Sequence, residues 1–129
     1  MSVVTLNPPA DPGGTTETVV WNSTYSLINT PTAGGVGNYR GRHKDMQRLV
    51  LKVRSNVDVT VKQKTLAQGS TTWRVINGGG SGEVITANND AQRDFFLEGV
   101  DNEITLTAAS DPTTWEISAY LVCDRALAQ

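Results

Sequence analysis

Residues 47–66, QRLVLKVRSNVDVTVKQKTL, decide how this chain folds. Leu49, Leu51 and Val53 alternate with Arg48, Val50, Lys52 and Arg54. Past Ser55-Asn56, Val57, Val59 and Val61 alternate with Asp58, Thr60 and Lys62. A period of two places one set on the buried face of a sheet and the other in water. The β-branched content favours strand over helix. Two alternating runs split by a short polar step predict an antiparallel hairpin, with Ser55-Asn56 in the turn where Asn-Gly would be the stronger signal.

The same reading extends in both directions. Residues 15–21 (TTETVVW) and 24–29 (TYSLIN) read as strands joined at Asn22-Ser23. Asn22-Ser23-Thr24 fits the glycosylation acceptor pattern, but the N-terminus has neither the basic nor the apolar region of a secretory signal, so a plain turn is expected. Residues 30–44, with four glycines, read as a loop. After a turn at 67–71 come a strand at 72–76 (TWRVI), a glycine loop at 77–82 (NGGGSG) and a short strand at 83–86. Residues 87–92 read as a turn. A second hairpin is expected from 93–98 (RDFFLE) and 103–108 (EITLTA), over residues 99–102. The last and longest strand spans 114–124, with Trp115, Ile117, Ala119, Leu121 and Cys123 on one face. About eight strands with frequent turns and no helical period predict an all-β, antiparallel β-sandwich, jelly-roll-like in layout.

An internal echo strengthens that layout. LVLKVRSNVDVTV (49–61) and DFFLEGVDNEITL (94–106) share strand, tight polar step, strand, and each is followed by Thr-Thr-Trp. Two similar three-strand units suit a double Greek key.

Size and composition set bounds on function. At 129 residues the chain is one domain, large enough to bury a core. A net charge of −2 argues against a general nucleic-acid or anionic-membrane binder, and no apolar run is long enough to span a bilayer. Cys123 is the sole cysteine, so no intrachain disulfide is possible and synthesis in a reducing cytoplasm is expected. His43 is the sole histidine, which leaves no zinc-ligand set and no Ser-His-Asp signature; neither a metal nor a cofactor is expected. The Gly78–Gly80 run leads into a strand and lacks the Gly-Lys-Ser/Thr of a phosphate loop. Asn88-Asn89-Asp90 and Asp101-Asn102-Glu103 read as solvated turns. No catalytic residues are assigned, and the chain is not expected to be an enzyme.

Two stretches are candidates for partner binding. Residues 1–14 hold three of the five prolines and end in Gly13-Gly14, which reads as an extended arm ahead of a sandwich domain at 15–129. Its apolar residues Val3, Val4 and Leu6 could cross onto a neighbouring subunit. On the glycine-rich loop, Tyr39, Arg40, Arg42, His43 and Lys44 gather four cationic or titratable groups in five residues, suited to an acidic protein surface. The tryptophans Trp21, Trp73 and Trp115 sit at strand positions and read as core.

The overall plan, a Pro/Gly-rich arm before a compact β body rich in Thr, Val, Asn and Gly, resembles the small virion structural proteins of tailed bacteriophages, capsid decoration (cement) proteins among them. The resemblance is one of plan over the full length and transfers no functional residues. It implies a homo-oligomer, with a trimer favoured, seated in the virion on the major capsid protein or another virion protein and stabilising the shell. The alternative is a carbohydrate-binding or receptor-binding module of a head fibre or tail tip, in which exposed aromatic rings would stack on a glycan.

Overall fold

The computed structural model describes residues 2–22, 37–38, 47–66, 70–97 and 101–123, with side chains for all of these except 2, 4, 37, 38, 47, 101 and 123. Among the described residues ten strands follow in chain order: β1 (Ser2–Thr5), β2 (Thr18–Asn22), β3 (Gly37–Asn38), β4 (Gln47–Ser55), β5 (Val59–Leu66), β6 (Arg74–Val75), β7 (Glu83–Ile85), β8 (Ala91–Leu97), β9 (Asp101–Ala108) and β10 (Trp115–Cys123). One 3-10 turn, Gly78–Gly80, lies between β6 and β7. The strands form two sheets. One has four strands in the order β1-β10-β4-β8. The other has six, in the order β3-β2-β9-β5-β6, with β7 also on β5. Pairing is antiparallel apart from a two-residue parallel bridge between β2 and β3. The chain is thus an all-β, two-sheet sandwich, as its alternation predicts.

The core lies between the inner faces. On β4, Leu49, Leu51 and Val53 are buried and stand opposite Leu121, Ala119 and Ile117 of β10. On β5, Val59 and Val61 are buried and stand opposite Ala108 and Leu106 of β9. Removing this surface from water at roughly 25 cal/mol per Å² is the main force closing the sandwich. In β2 the run Val19-Val20-Trp21 breaks alternation. The register on β9 slips between Val19 and Trp21, so Val20 and Trp21 both turn inward and both are fully buried. Such a slip is a β-bulge.

Both predicted hairpins are corrected. β4 and β5 are consecutive but do not pair: β4 joins β10 and β8, and β5 joins β9, β6 and β7. Likewise β8 lies in the four-stranded sheet and β9 in the six-stranded one. Alternation fixes which side chains face the core, not which strand lies alongside. A two-residue hairpin loop needs positive φ, and no residue between β4 and β5 has it. Instead the chain crosses over the end of the sandwich, and its polar residues stitch that end together. Asn56 Oδ1 accepts the backbone N–H groups of Thr113 and Thr114, both at 2.9 Å. The Ser55 carbonyl accepts Asn88 N–H at 2.7 Å, and Asp58 Oδ1 accepts Ala87 N–H at 2.9 Å.

The arm is corrected too. β1 pairs along β10, Val3 opposite Val122 and Thr5 opposite Tyr120. Leu6 is in the core at 2% exposure, held by its N–H on the Ala119 carbonyl, and Pro9 is buried with its carbonyl accepting Trp115 Nε1–H at 3.2 Å. Proline bars residues 7–12 from a ladder but not from packing. Smaller differences concern boundaries. The strand expected at 15–21 is β2, the one at 72–76 shrinks to β6, and β8 begins inside the expected turn at 87–92. The strand expected at 24–29 and the tail after residue 123 lie outside the described residues, as does most of the loop at 30–44.

At the free edge of the six-stranded sheet, Asn77 stands in for a strand. β5 pairs with β7 at Val59–Val61 and with β6 at Lys64-Thr65, leaving a gap. The Asn77 side chain fills it: Oδ1 accepts Gln63 N–H at 2.9 Å and Nδ2 donates to the Val61 carbonyl at 3.0 Å. The glycines that follow make the tight excursion this requires, and Gly82, at φ +84°, lies against β5.

Candidate functional site: the outer face of the four-stranded sheet

Outward-pointing residues of β10, β4 and β8 form ordered rows. Ser118 is opposite Lys52, and Lys52 is opposite Gln92. One row along, Glu116 is opposite Arg54, and Asp90 lies just before β8. These six residues line an open groove of about 510 Å³, within the range of small-ligand sites.

The two rows differ in their internal bonding. Arg54 Nη1 donates to the Asn88 carbonyl and to Asp90 Oδ1, each at 3.2 Å, and Arg54 Nε lies 3.9 Å from Glu116 Oε2. Asp90 and Glu116 remain mostly open to solvent, with side chains 84% and 68% exposed. Lys52, Gln92 and Ser118 are exposed, and their side chains make no hydrogen bond or ion pair among the described residues. Neighbours directly across antiparallel strands have Cβ atoms about 5 Å apart, so an ammonium, an amide and a hydroxyl lie in a line roughly 10 Å long.

Beyond the groove the same face turns apolar. Val3, Val122, Arg48 and Phe96 form one cross-strand row. Val3 and Phe96, at its two ends, are 58% and 62% exposed, whereas Val122 and the neighbouring Val50 are buried. The Phe96 carbonyl accepts Gln63 Nε2–H at 2.8 Å, tying this edge strand to the other sheet. The inward-facing Arg93 also spans the sheets, with Nε 2.6 Å from Glu83 Oε2. An inward-pointing charge on an edge strand discourages pairing with another chain's edge.

Of the predicted partner-binding residues, Val3, Val4 and Leu6 fall within the described residues, along β1 and just past it. Val3 is exposed on β1, while Leu6 is in the core of its own chain and offers no surface. Val4 pairs opposite Leu121, with its side chain outside the described set, like that of Cys123. Tyr39, Arg40, Arg42, His43 and Lys44 lie outside the described residues. Trp21 is fully buried and Trp73 and Trp115 are half-buried, so none offers an open stacking face. Among the described residues no three His, Cys, Asp or Glu side chains gather as a metal-ion set, and no helix is long and apolar enough to cross a membrane.

Sequence reasoning missed the groove. Its members come from three separate strands, and each reads alone as an ordinary wet position; only the register unites them. Asp90, read as part of a solvated turn, is solvent-exposed there and also accepts from Arg54 Nη1 at 3.2 Å. Comparison with known protein families, with curated proteins and with solved structures finds no match to the chain.

Proposed function

We propose that this chain is a non-enzymatic virion structural protein, a jelly-roll module that binds a capsid shell and stabilises it as a decoration or cement protein. The wiring carries this reading. Chain order passes between the sheets so that β1, β4, β8 and β10 form one layer and β2, β5 and β9 the other, with β6 and β7 beside β5. We read this as two interleaved Greek keys, an arrangement that recurs in viral capsid and lectin domains and in cupins. Cupin-type metal chemistry needs several ligating histidines, and this chain has one. A protein that binds only the assembled shell stabilises it by mass action, without chemistry. Val3 and Phe96, large apolar side chains left open on the outer face, supply contact area for such a partner.

The test is location. Mass spectrometry of density-purified particles should find the chain in fixed ratio to the major capsid protein, and light scattering on the isolated protein should give a trimer. A chain recovered only from the soluble fraction of infected cells overturns the reading. A second reading, a carbohydrate-binding or receptor-binding module of a head fibre or tail tip, is favoured by one observation: the row of Lys52, Gln92 and Ser118, whose side chains have no intramolecular partner among the described residues.

A further inference from the structure

We infer that the groove over β10, β4 and β8 binds an acidic saccharide, its carboxylate held by Lys52, Gln92 and Ser118 and its hydroxyls by Asp90 and Glu116. This rests on the second reading only in requiring that the chain bind a glycan, and it is independent of where the protein sits.

The donor row selects an anion. Lys52 contributes an ammonium, Gln92 an amide N–H and Ser118 a hydroxyl, side by side on one register line. None is committed elsewhere among the described residues, so a ligand displaces only water from them. Charge-assisted hydrogen bonds to a carboxylate are the stronger kind. The parallel row selects hydroxyls. Asp90 and Glu116 keep most of their carboxylate surface open, and a carboxylate accepts from O–H groups without needing a charged partner. Arg54 stands between them, hydrogen-bonded to Asp90 at 3.2 Å and 3.9 Å from Glu116. It also keeps the two negative charges from repelling the ligand's own. A sugar acid is the ligand that presents an anion and a set of hydroxyls a few ångströms apart.

Other ligands fit less well. A neutral sugar is usually gripped by an aromatic face, and no aromatic side chain lines this groove. A peptide gains affinity by adding a strand to a sheet edge, but the groove lies on the sheet's face, over strands paired with one another. The apolar lining residues, Val53, Ala91 and Ile117, point inward and give a peptide side chain no pocket.

The test is NMR titration of the ¹⁵N-labelled protein with trigalacturonate. Maltotriose, triglutamate and inorganic phosphate serve as comparison probes. Shifts confined to the backbone amides near Lys52, Gln92 and Ser118, with trigalacturonate bound more tightly than any of the three, support the inference. Lys52→Ala should weaken that binding about tenfold, with the amide spectrum elsewhere unchanged. Lys62→Ala, which removes the same charge from the opposite face, should leave binding unaltered. The inference is overturned by an absence of shifts, by phosphate or triglutamate binding as tightly, or by equal losses in the two lysine variants. None of these outcomes bears on whether the chain is a virion component.

Discussion

On the outer face of the six-stranded sheet, Lys64 lies 2.5 Å from Glu17 and 3.9 Å from Glu103, and Glu103 also accepts the Asn22 side-chain amide at 2.7 Å. On the outer face of the four-stranded sheet, Lys52 faces water with neither a carboxylate nor a hydrogen bond among the described residues. Both lysines occupy equivalent outward positions in long central strands. The first face spends its polar groups on its own chain: the loop carrying Glu17 is clasped to β5, and Asn77 completes the sheet edge. The second keeps Arg48–Asp94 and Arg54–Asp90 pairs but leaves Lys52, Gln92 and Ser118 uncommitted among the described residues, while open apolar side chains occur on both sheets, Val3 and Phe96 on this one and Val84 and Ile76 on or beside the other. The two lysines are therefore committed differently, Lys64 to its own chain and Lys52 to water. Substituting a committed side chain such as Glu17 should cost stability, and substituting Lys52 should leave it alone.

The sharpest break comes at Gly82. A Cβ there meets the Val61 carbonyl oxygen at 2.8 Å and Lys62 Cγ at 2.7 Å, in a backbone at φ +84°. The lysine stem can swing away, but the carbonyl belongs to a paired strand and cannot. Left-handed strain and overpacking together put Gly82→Ala at a loss of roughly 3 kcal/mol, measurable by urea unfolding. A loss below about 0.5 kcal/mol would show that this edge is looser than its geometry. Asn77→Ala comes next. It strands the Gln63 N–H and the Val61 carbonyl, both bonded to the Asn77 amide, at about 2 kcal/mol. Hydrogen exchange at the Gln63 amide should rise in step, since that proton loses its acceptor.

How much of this could be read beforehand depends on the kind of information. Inner faces were legible: Leu49, Leu51, Val53, Val59, Val61, Ile117, Ala119 and Leu121 all turn inward as their spacing demands. Partners were not. The step at 55–58 could close a hairpin or cross the sandwich, and alternation is identical in both cases. What decides is the nine-residue match of β4 to β10, whose partners lie 60 to 76 positions apart in sequence. The internal echo was informative in an unexpected way. Residues 49–61 and 94–106 both run from the four-stranded sheet to the six-stranded one, with β4 beside β8 and β5 beside β9, but the Trp73 segment stays in the six-stranded sheet while Trp115 returns to the other. The arm misled because its prolines argue against a ladder and say nothing about packing. Leu6 and Pro9 are buried all the same. The groove left no trace in sequence, since Lys52, Gln92 and Ser118 meet only through register.

The smallest expected effect separates the faces most cleanly, because it reads the sign of a pH dependence rather than a loss. Partial burial works against the charge on Glu17, yet the bonded Lys64 ammonium, with Lys62 behind it, holds the carboxyl below its ordinary value. A carboxyl depressed in the folded state favours folding at pH above its unfolded value, and that contribution disappears as pH falls through its folded value. The wild type should therefore lose stability on acidification below about pH 4.5, and part of that loss should vanish in Glu17→Gln. At neutral pH the same substitution should cost less than about 1 kcal/mol, as half-exposed ion pairs do. Lys52→Ala, with no intramolecular partner to lose, should leave the whole curve of stability against pH superimposable on the wild type. If Lys52→Ala instead reshapes that curve as Glu17→Gln does, Lys52 is held by its own chain, the two faces are alike, and the groove has no free cation to offer a ligand.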